Sequence, residues 1–162
     1  MWAITLPSFR TGRCTVWQVP QISENDLRVQ PNNSEKYDKW LKTNTFEQKQ
    51  KGFYGVYVKV LLGDMATGAA REFAKIVDEF AADDIRVTIN QNYLLKFVRK
   101  EAFESLFVAL DKLGFAEPGF DSTGDVTACP GTDTCNLGIS SSTGIAAELE
   151  RVIKAEYPDL IY

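Results

Sequence analysis

Two stretches decide the fold: Tyr54-Gly-Val-Tyr-Val-Lys-Val-Leu-Leu62 and, beyond the break at Gly63-Asp64, Thr67-Gly-Ala-Ala-Arg-Glu-Phe-Ala-Lys-Ile-Val-Asp-Glu-Phe80. In the first, Val56, Val58 and Val60 alternate with Tyr57 and Lys59, the period-two pattern of a strand. In the second, Ala69, Phe73, Ile76, Val77 and Phe80 recur at helical spacing, which predicts a helix over about 67–82, ended by Asp83-Asp84. Ile85–Thr88 and Tyr93–Val98 then read as two short strands around Asn90-Gln91-Asn92. A second helix is expected over about 100–113, with Phe103, Leu106, Phe107, Leu110 and Leu113 on one stripe and Gly114 as its C-terminal glycine. The order strand, helix, strand, strand, helix makes most of a split β-α-β sandwich of the ferredoxin-like type, an α+β fold.

Outward from this centre the signals weaken. Trp2–Leu6 and Thr15–Val19 are β-type runs with a turn region near Gly12. Residues 21–33 read as a polar loop. Ser34 is a candidate cap for a short helix that carries Tyr37, Trp40 and Leu41 on one face. Thr43–Gly52 reads as a polar connector. From Glu117 to Gly131 the composition turns to Pro, Gly, Asp, Ser and Thr, which marks a boundary. A last helix carries Ile145, Leu149, Val152 and Ile153 and stops before Pro158; its start lies anywhere from Asn136 to Thr143.

The chain has 162 residues, 44% hydrophobic and 25% charged, an ordinary globular composition of about one domain. No apolar run approaches the roughly 20 residues of a membrane span, and the N-terminus lacks the pattern of a secretory signal. Net charge is −4 with both signs interspersed, so nucleic acid is not an expected partner. Three cysteines do not make a secreted disulfide scaffold, and a reducing cytoplasm is expected. There is no histidine, which removes imidazole metal ligands and Ser–His or Cys–His nucleophiles. Chemistry here has to come from a cofactor, from Lys/Arg electrostatics or from carboxylates.

The third informative stretch is Asp125-Val-Thr-Ala-Cys129-Pro-Gly-Thr-Asp-Thr-Cys135. Pro130 and Gly131 fit the centre of a type II turn, which would bring both thiols to one side. A helix starting just after Cys135 would present its positive end to them. A pair of free buried thiols, an adventitious disulfide and a two-thiol redox switch are the alternatives at this point. Cys14 reads as a small core residue rather than a further ligand, and Lys49-Gln-Lys51 as a solvated turn.

Arg86-Val-Thr-x-x-Gln91-Asn92, the helix ending in Leu113-Gly-Phe115, and Thr127-Ala-Cys129-x5-Cys135 together resemble the nitrite and sulfite reductase family, whose members carry siroheme bridged to a [4Fe-4S] cluster. The resemblance covers about residues 40–155. It implies a second ferredoxin-like half-domain over 53–118, N-terminal strands and a linker helix over 1–52, and the truncated start of a siroheme/iron–sulfur α/β domain over 119–162. It further implies that Cys129 and Cys135 are two cluster ligands, that Asn90, Gln91 and Asn92 donate hydrogen bonds at the siroheme edge, and that Arg86 contributes to the same cofactor site. No catalytic residue is implied within this chain.

By the same resemblance the whole enzyme reduces nitrite to ammonia or sulfite to sulfide with six electrons, delivered by ferredoxin or a flavoprotein. A first half-domain and a second cysteine pair are missing from this sequence, so a portion of a longer reductase is expected. Alone, it should bind neither cofactor tightly, show no activity, and self-associate through the face its sister half would cover. A non-enzymatic ferredoxin-like interaction or regulatory module is the alternative from another class.

Overall fold

A computed structural model describes residues 30–81 and 85–161. The runs Trp2–Leu6 and Thr15–Val19, the turn at Gly12, Cys14 and the helix stop at Asp83-Asp84 lie outside the described residues.

Helix α1 (Ser34–Asn44) is capped by Asn33, whose side chain accepts from the Lys36 amide at 3.0 Å. The cap thus falls one residue before the expected Ser34, which instead starts the helix. Trp40 is fully buried, 6.1 Å from the Tyr37 ring and edge-on to Phe107 at 5.3 Å. Burying a side chain of this size contributes roughly 2–3 kcal/mol.

The polar connector at 43–52 contains a strand that its composition hid. β1 (Thr45–Glu47) runs antiparallel to β2 (Phe53–Val58), with Phe46 opposite Gly55. The Phe46 ring lies where a Cβ on Gly55 would stand, so the missing side chain of one strand admits the aromatic of the other. Three residues are too few for an alternation to be read, and pairing with β2 supplies the missing signal.

Beyond β2 come helix α2 (Thr67–Phe80), strands β3 (Ile85–Val87) and β4 (Tyr93–Arg99), and helix α3 (Phe103–Lys112). The sheet order is β1-β2-β4-β3, and every neighbouring pair is antiparallel. β2 and β3 therefore run parallel with β4 between them and α2 as the crossover, which is the split β-α-β arrangement. Val56, Val58, Leu95 and Val98 are buried beneath Phe73, Ile76, Val77 and Phe80 of α2 and Phe103, Leu106, Phe107 and Leu110 of α3. A bulge at Lys96-Phe97 lets β4 keep Leu95 and Val98 on this same face; Phe97 takes φ +60 and its amide donates to Gln48 Oε1 at 2.9 Å.

Helix α3 stops where expected. Gly114 takes φ +77, its amide donates to the Asp111 carbonyl at 3.0 Å, and the Phe115 amide donates to the Leu110 carbonyl at 2.9 Å. This paired closure satisfies two terminal carbonyls. The C-terminal end of α1 then holds the next segment: buried Asn44 donates to the carbonyls of Tyr57 and Glu117, and Thr43 Oγ1 accepts from the Gly119 amide at 2.8 Å. Phe120 stacks on Tyr57 with ring centroids 3.7 Å apart.

The last helix, α4 (Ser142–Glu156), is capped by Ser141, whose hydroxyl accepts from the Gly144 amide at 3.2 Å. Of the possible starts, the Ser-Ser-Thr run provides the cap. Among the described residues no helix is long and apolar enough to cross a membrane.

Candidate cofactor-ligand site

Between β3 and β4 the chain turns at 88–92. The Thr88 amide donates to the Asn92 carbonyl at 2.8 Å, the Asn92 amide donates to Thr88 Oγ1 at 3.2 Å, and Gln91 takes φ +60. Gly63 packs against this turn, and a Cβ there would come within 2.8 Å of Gln91 Cβ. A larger residue at 63 would push the turn away from β2.

Three of the turn's side chains, Asn90, Gln91 and Asn92, reach the segment that leads to the cysteines. Asn92 is fully buried: its Oδ1 accepts from the Val60 amide at 2.7 Å, and its Nδ2 donates to both Asp125 carboxylate oxygens at 3.0 and 2.9 Å. Asp125 Oδ2 also accepts from the Asp121 amide at 2.9 Å. Asn90 Nδ2 donates to Asp121 Oδ1 at 3.0 Å, and Gln91 Nε2 donates to the Ala128 carbonyl at 2.9 Å. The side-chain amides of residues 90–92 thus act within the chain as donors to 121–128. Gln91 Oε1 is buried with no hydrogen-bond partner among the described residues.

Residues 129–138 coil tightly. Pro130 has φ −65 and ψ −13, so the expected type II turn does not form; a single 3-10 turn covers Gly131–Asp133 instead. The Asp133 amide donates to the Pro130 carbonyl at 3.2 Å, the Cys135 amide to the Gly131 carbonyl at 2.9 Å, and the Gly138 amide to the Cys135 carbonyl at 2.9 Å. Gly131 takes φ +56 beneath Ser142, and a Cβ would sit 2.9 Å from the Ser142 amide nitrogen. On Gly138 a Cβ would sit 2.9 Å from the Thr132 nitrogen. Two glycines therefore let the backbone close on itself and on α4.

Cys129 and Cys135 are both free and exposed on this coil. Ser142 Oγ lies 3.4 Å from Cys129 Sγ and 2.9 Å from the Cys129 carbonyl oxygen, so its one proton can be donated to the carbonyl or, when the sulfur is a thiolate, turned to the sulfur. Ser142 is the first residue of α4. The helix begins later than the thiols would need if Cys135 were to sit at its end, and it is Cys129 that the fold brings there. The Ser142 hydroxyl and then the Gly131 backbone hold the Cys129 thiol below its ordinary pKa, because both favour the thiolate.

Arg86 is exposed on β3, opposite Leu94 and on the sheet face away from the buried Leu95. Lys49 and Lys51 are exposed in the β1–β2 turn. Among the described residues no group of three or more Cys, Asp or Glu side chains is placed to hold a metal ion. Soft metal-ligand chemistry here rests on the two thiols. Ser142 and Asp125 are the residues that sequence reasoning passed over. The capping run Ser141-Ser142-Thr143 was a usable signal for the first, whereas nothing local marked the second.

Residues 46–113 match the family model for the nitrite/sulfite reductase ferredoxin-like half domain. That range runs from within β1 to the residue just after α3, so it coincides with the split β-α-β unit and most of its added strand. Residues 46–113 form a ferredoxin-like half-domain similar to that of the nitrite/sulfite reductases. The Asn90–Asn92 turn lies inside this half-domain, and the cysteine coil lies outside it. Over 118 residues the chain is 28% identical to the assimilatory ferredoxin-dependent nitrite reductase of Haloferax mediterranei, an alignment covering 71% of this chain and 20% of that protein. The chain thus spans about a fifth of the length of the curated relative it matches.

Proposed function

We propose that this chain is the second ferredoxin-like half-domain, joined to the start of the cofactor domain, of a siroheme- and [4Fe-4S]-dependent reductase that converts nitrite to ammonia or sulfite to sulfide. The observation that carries the reading is the coil 129–138, with two exposed thiols and Cys129 against the first residue of α4. The named function of the Haloferax mediterranei relative favours nitrite as substrate and ferredoxin as electron donor.

The donor set fits two corners of a four-iron cluster, which takes four thiolates. Both sulfurs are accessible, and Cys129 is held in a setting that favours its anionic form. In this proposal Cys129 and Cys135 hold two irons, and two further thiolates come from another polypeptide segment. When bound, the cluster and siroheme supply the one-electron steps and the iron on which the anion is reduced. The chain's own part is to hold and orient. Asn92 and Asp125 brace the segment before Cys129, Gln91 Oε1 offers a buried acceptor beside Ala128, and Arg86 contributes a cation for an anionic cofactor group. The exposed free thiols suit a reducing compartment, and a cytoplasmic location belongs to the proposal.

The ligand count gives a direct test. Purified chain reconstituted anaerobically with iron and sulfide should fail to retain the broad visible absorbance of a four-iron cluster. A stoichiometric, stable cluster on the isolated chain would overturn the two-of-four reading. In the assembled reductase, Cys129→Ser and Cys135→Ser should each remove cluster absorbance and nitrite or sulfite reduction; unchanged cluster content in either variant would sink the assignment.

A further inference from the structure

Residues 124–128 deliver Cys129 to α4 without any regular secondary structure of their own. Three consecutive residues in this segment are each held by a polar side chain from a different part of the chain. Lys59, just beyond β2, donates through Nζ to the Gly124 carbonyl. Asn92, from the β3–β4 turn, holds the Asp125 carboxylate. Glu150, on α4, accepts from the Val126 amide through Oε1 at 3.3 Å.

Lys59 and Glu150 are the unexpected members of this set. Their side chains are 3% and 4% exposed, and Lys59 Nζ lies 3.4 Å from Glu150 Oε2. Lys154 stands 3.8 Å from the same oxygen on the solvent side and 3.1 Å from Glu117. A buried ion pair is a poor source of stability, since an apolar pair of similar volume often does as well or better. An apolar pair, however, has no group with which to hold the Gly124 carbonyl and the Val126 amide. The charges are kept where their remaining hydrogen-bonding capacity determines the path of the backbone.

We infer that Lys59 and Glu150 are positioning residues for Cys129: a buried ion pair that clamps the 124–126 backbone between β2 and α4 and so seats the thiol against Ser142. This deepens the proposed role of Cys129 and takes its functional meaning from that role, while the clamp itself stands on the ion pair and the two backbone bonds. Neither residue touches a cofactor or substrate; both act through the segment they hold.

The test reads position directly. In a Ser142→Cys background, mild oxidation should join Cys129 to the introduced thiol, because the atoms at these sites lie 3.4 Å apart. Lys59→Met/Glu150→Leu removes the clamp without leaving a lone buried charge, and the fold should survive. In that variant disulfide formation should slow by about tenfold, and exchange of the 124–128 amides should quicken by about tenfold, with β2 and β4 amides unchanged. Lys59→Arg, which keeps the charge, should restore most of the trapping rate. A folded double variant with the parent trapping rate and parent exchange at 124–128 would overturn the inference. Should the double variant not fold, Glu150→Gln carries the same test, because it retains the Val126 acceptor and loses the attraction to Lys59: exchange at 124–128 must still quicken, and an unchanged rate overturns the clamp. Loss of cluster ligation by Cys129 would be seen in the assembled enzyme and leaves the trapping result untouched, so the two claims fail separately.

Discussion

Buried Asn92 joins the segment just beyond β2 to the cysteine-bearing segment by accepting from the buried Val60 amide and donating to the half-buried Asp125 carboxylate. Asn92→Ala would strand the Val60 amide and take one donor from the Asp125 carboxylate. It should cost about 1–3 kcal/mol in denaturant unfolding, chiefly because the buried Val60 amide forfeits its solvation; Asp125 is half-buried and keeps the Asp121 amide. Cys129 shows a residue-scale effect of charge. Its thiol is held low by the Ser142 hydroxyl first, and the sign follows: removing a donor that favours the thiolate must raise the pKa. The pH profile of Cys129 alkylation should therefore have its midpoint below the usual thiol value, and Ser142→Ala should move it upward. An unshifted midpoint would mean that the hydroxyl does not donate to sulfur.

Elements in this chain were legible in proportion to their length. α2 and α3 announced themselves because three to four turns of helix repeat the apolar stripe often enough to be read, and Gly114 marked the end of α3 by the left-handed residue a helix stop requires. β1 was hidden because three residues hold no period. The start of α4 was ambiguous because several residues between 136 and 143 can cap a helix, and only the Ser141 bond to Gly144 selects one. The coil between Pro130 and Gly138 is an element too, and it depends on backbone rather than side chains. Gly131→Ala forces a Cβ onto φ +56 and against Ser142. The strain should cost about 1–3 kcal/mol and loosen the coil, seen as lower thermal stability and faster exchange of the Cys135 amide.

At the scale of the whole molecule, the described residues combine a well-filled core with several large apolar side chains that stand exposed. Val87 and Ile89 are 73% and 96% exposed beside the β3 edge, and Leu137 and Ile139 are 88% and 99% exposed beside the cysteine coil. Large side chains left in water at an edge strand favour pairing with another sheet. On the proposed reading, a sister half-domain and the rest of the cofactor domain cover them. The isolated chain should therefore associate with itself as concentration rises, and Val87→Lys should suppress this by placing a charge at the edge. Light scattering that finds a strict monomer at high concentration would count against a covered face.

Periodicity and turn chemistry determined, from sequence alone, the split β-α-β order, the two long helices of the half-domain and the candidacy of two thiols around a Pro-Gly pair. Each of these is written in residues close together along the chain. Tertiary structure decided what brings distant residues into one place: β1 on the edge beside β2, Asn92 on Asp125, the Lys59–Glu150 pair, and Cys129 rather than Cys135 against the first residue of α4. Such contacts arise from packing a sheet, a turn and a helix together, and no local pattern encodes their pairing.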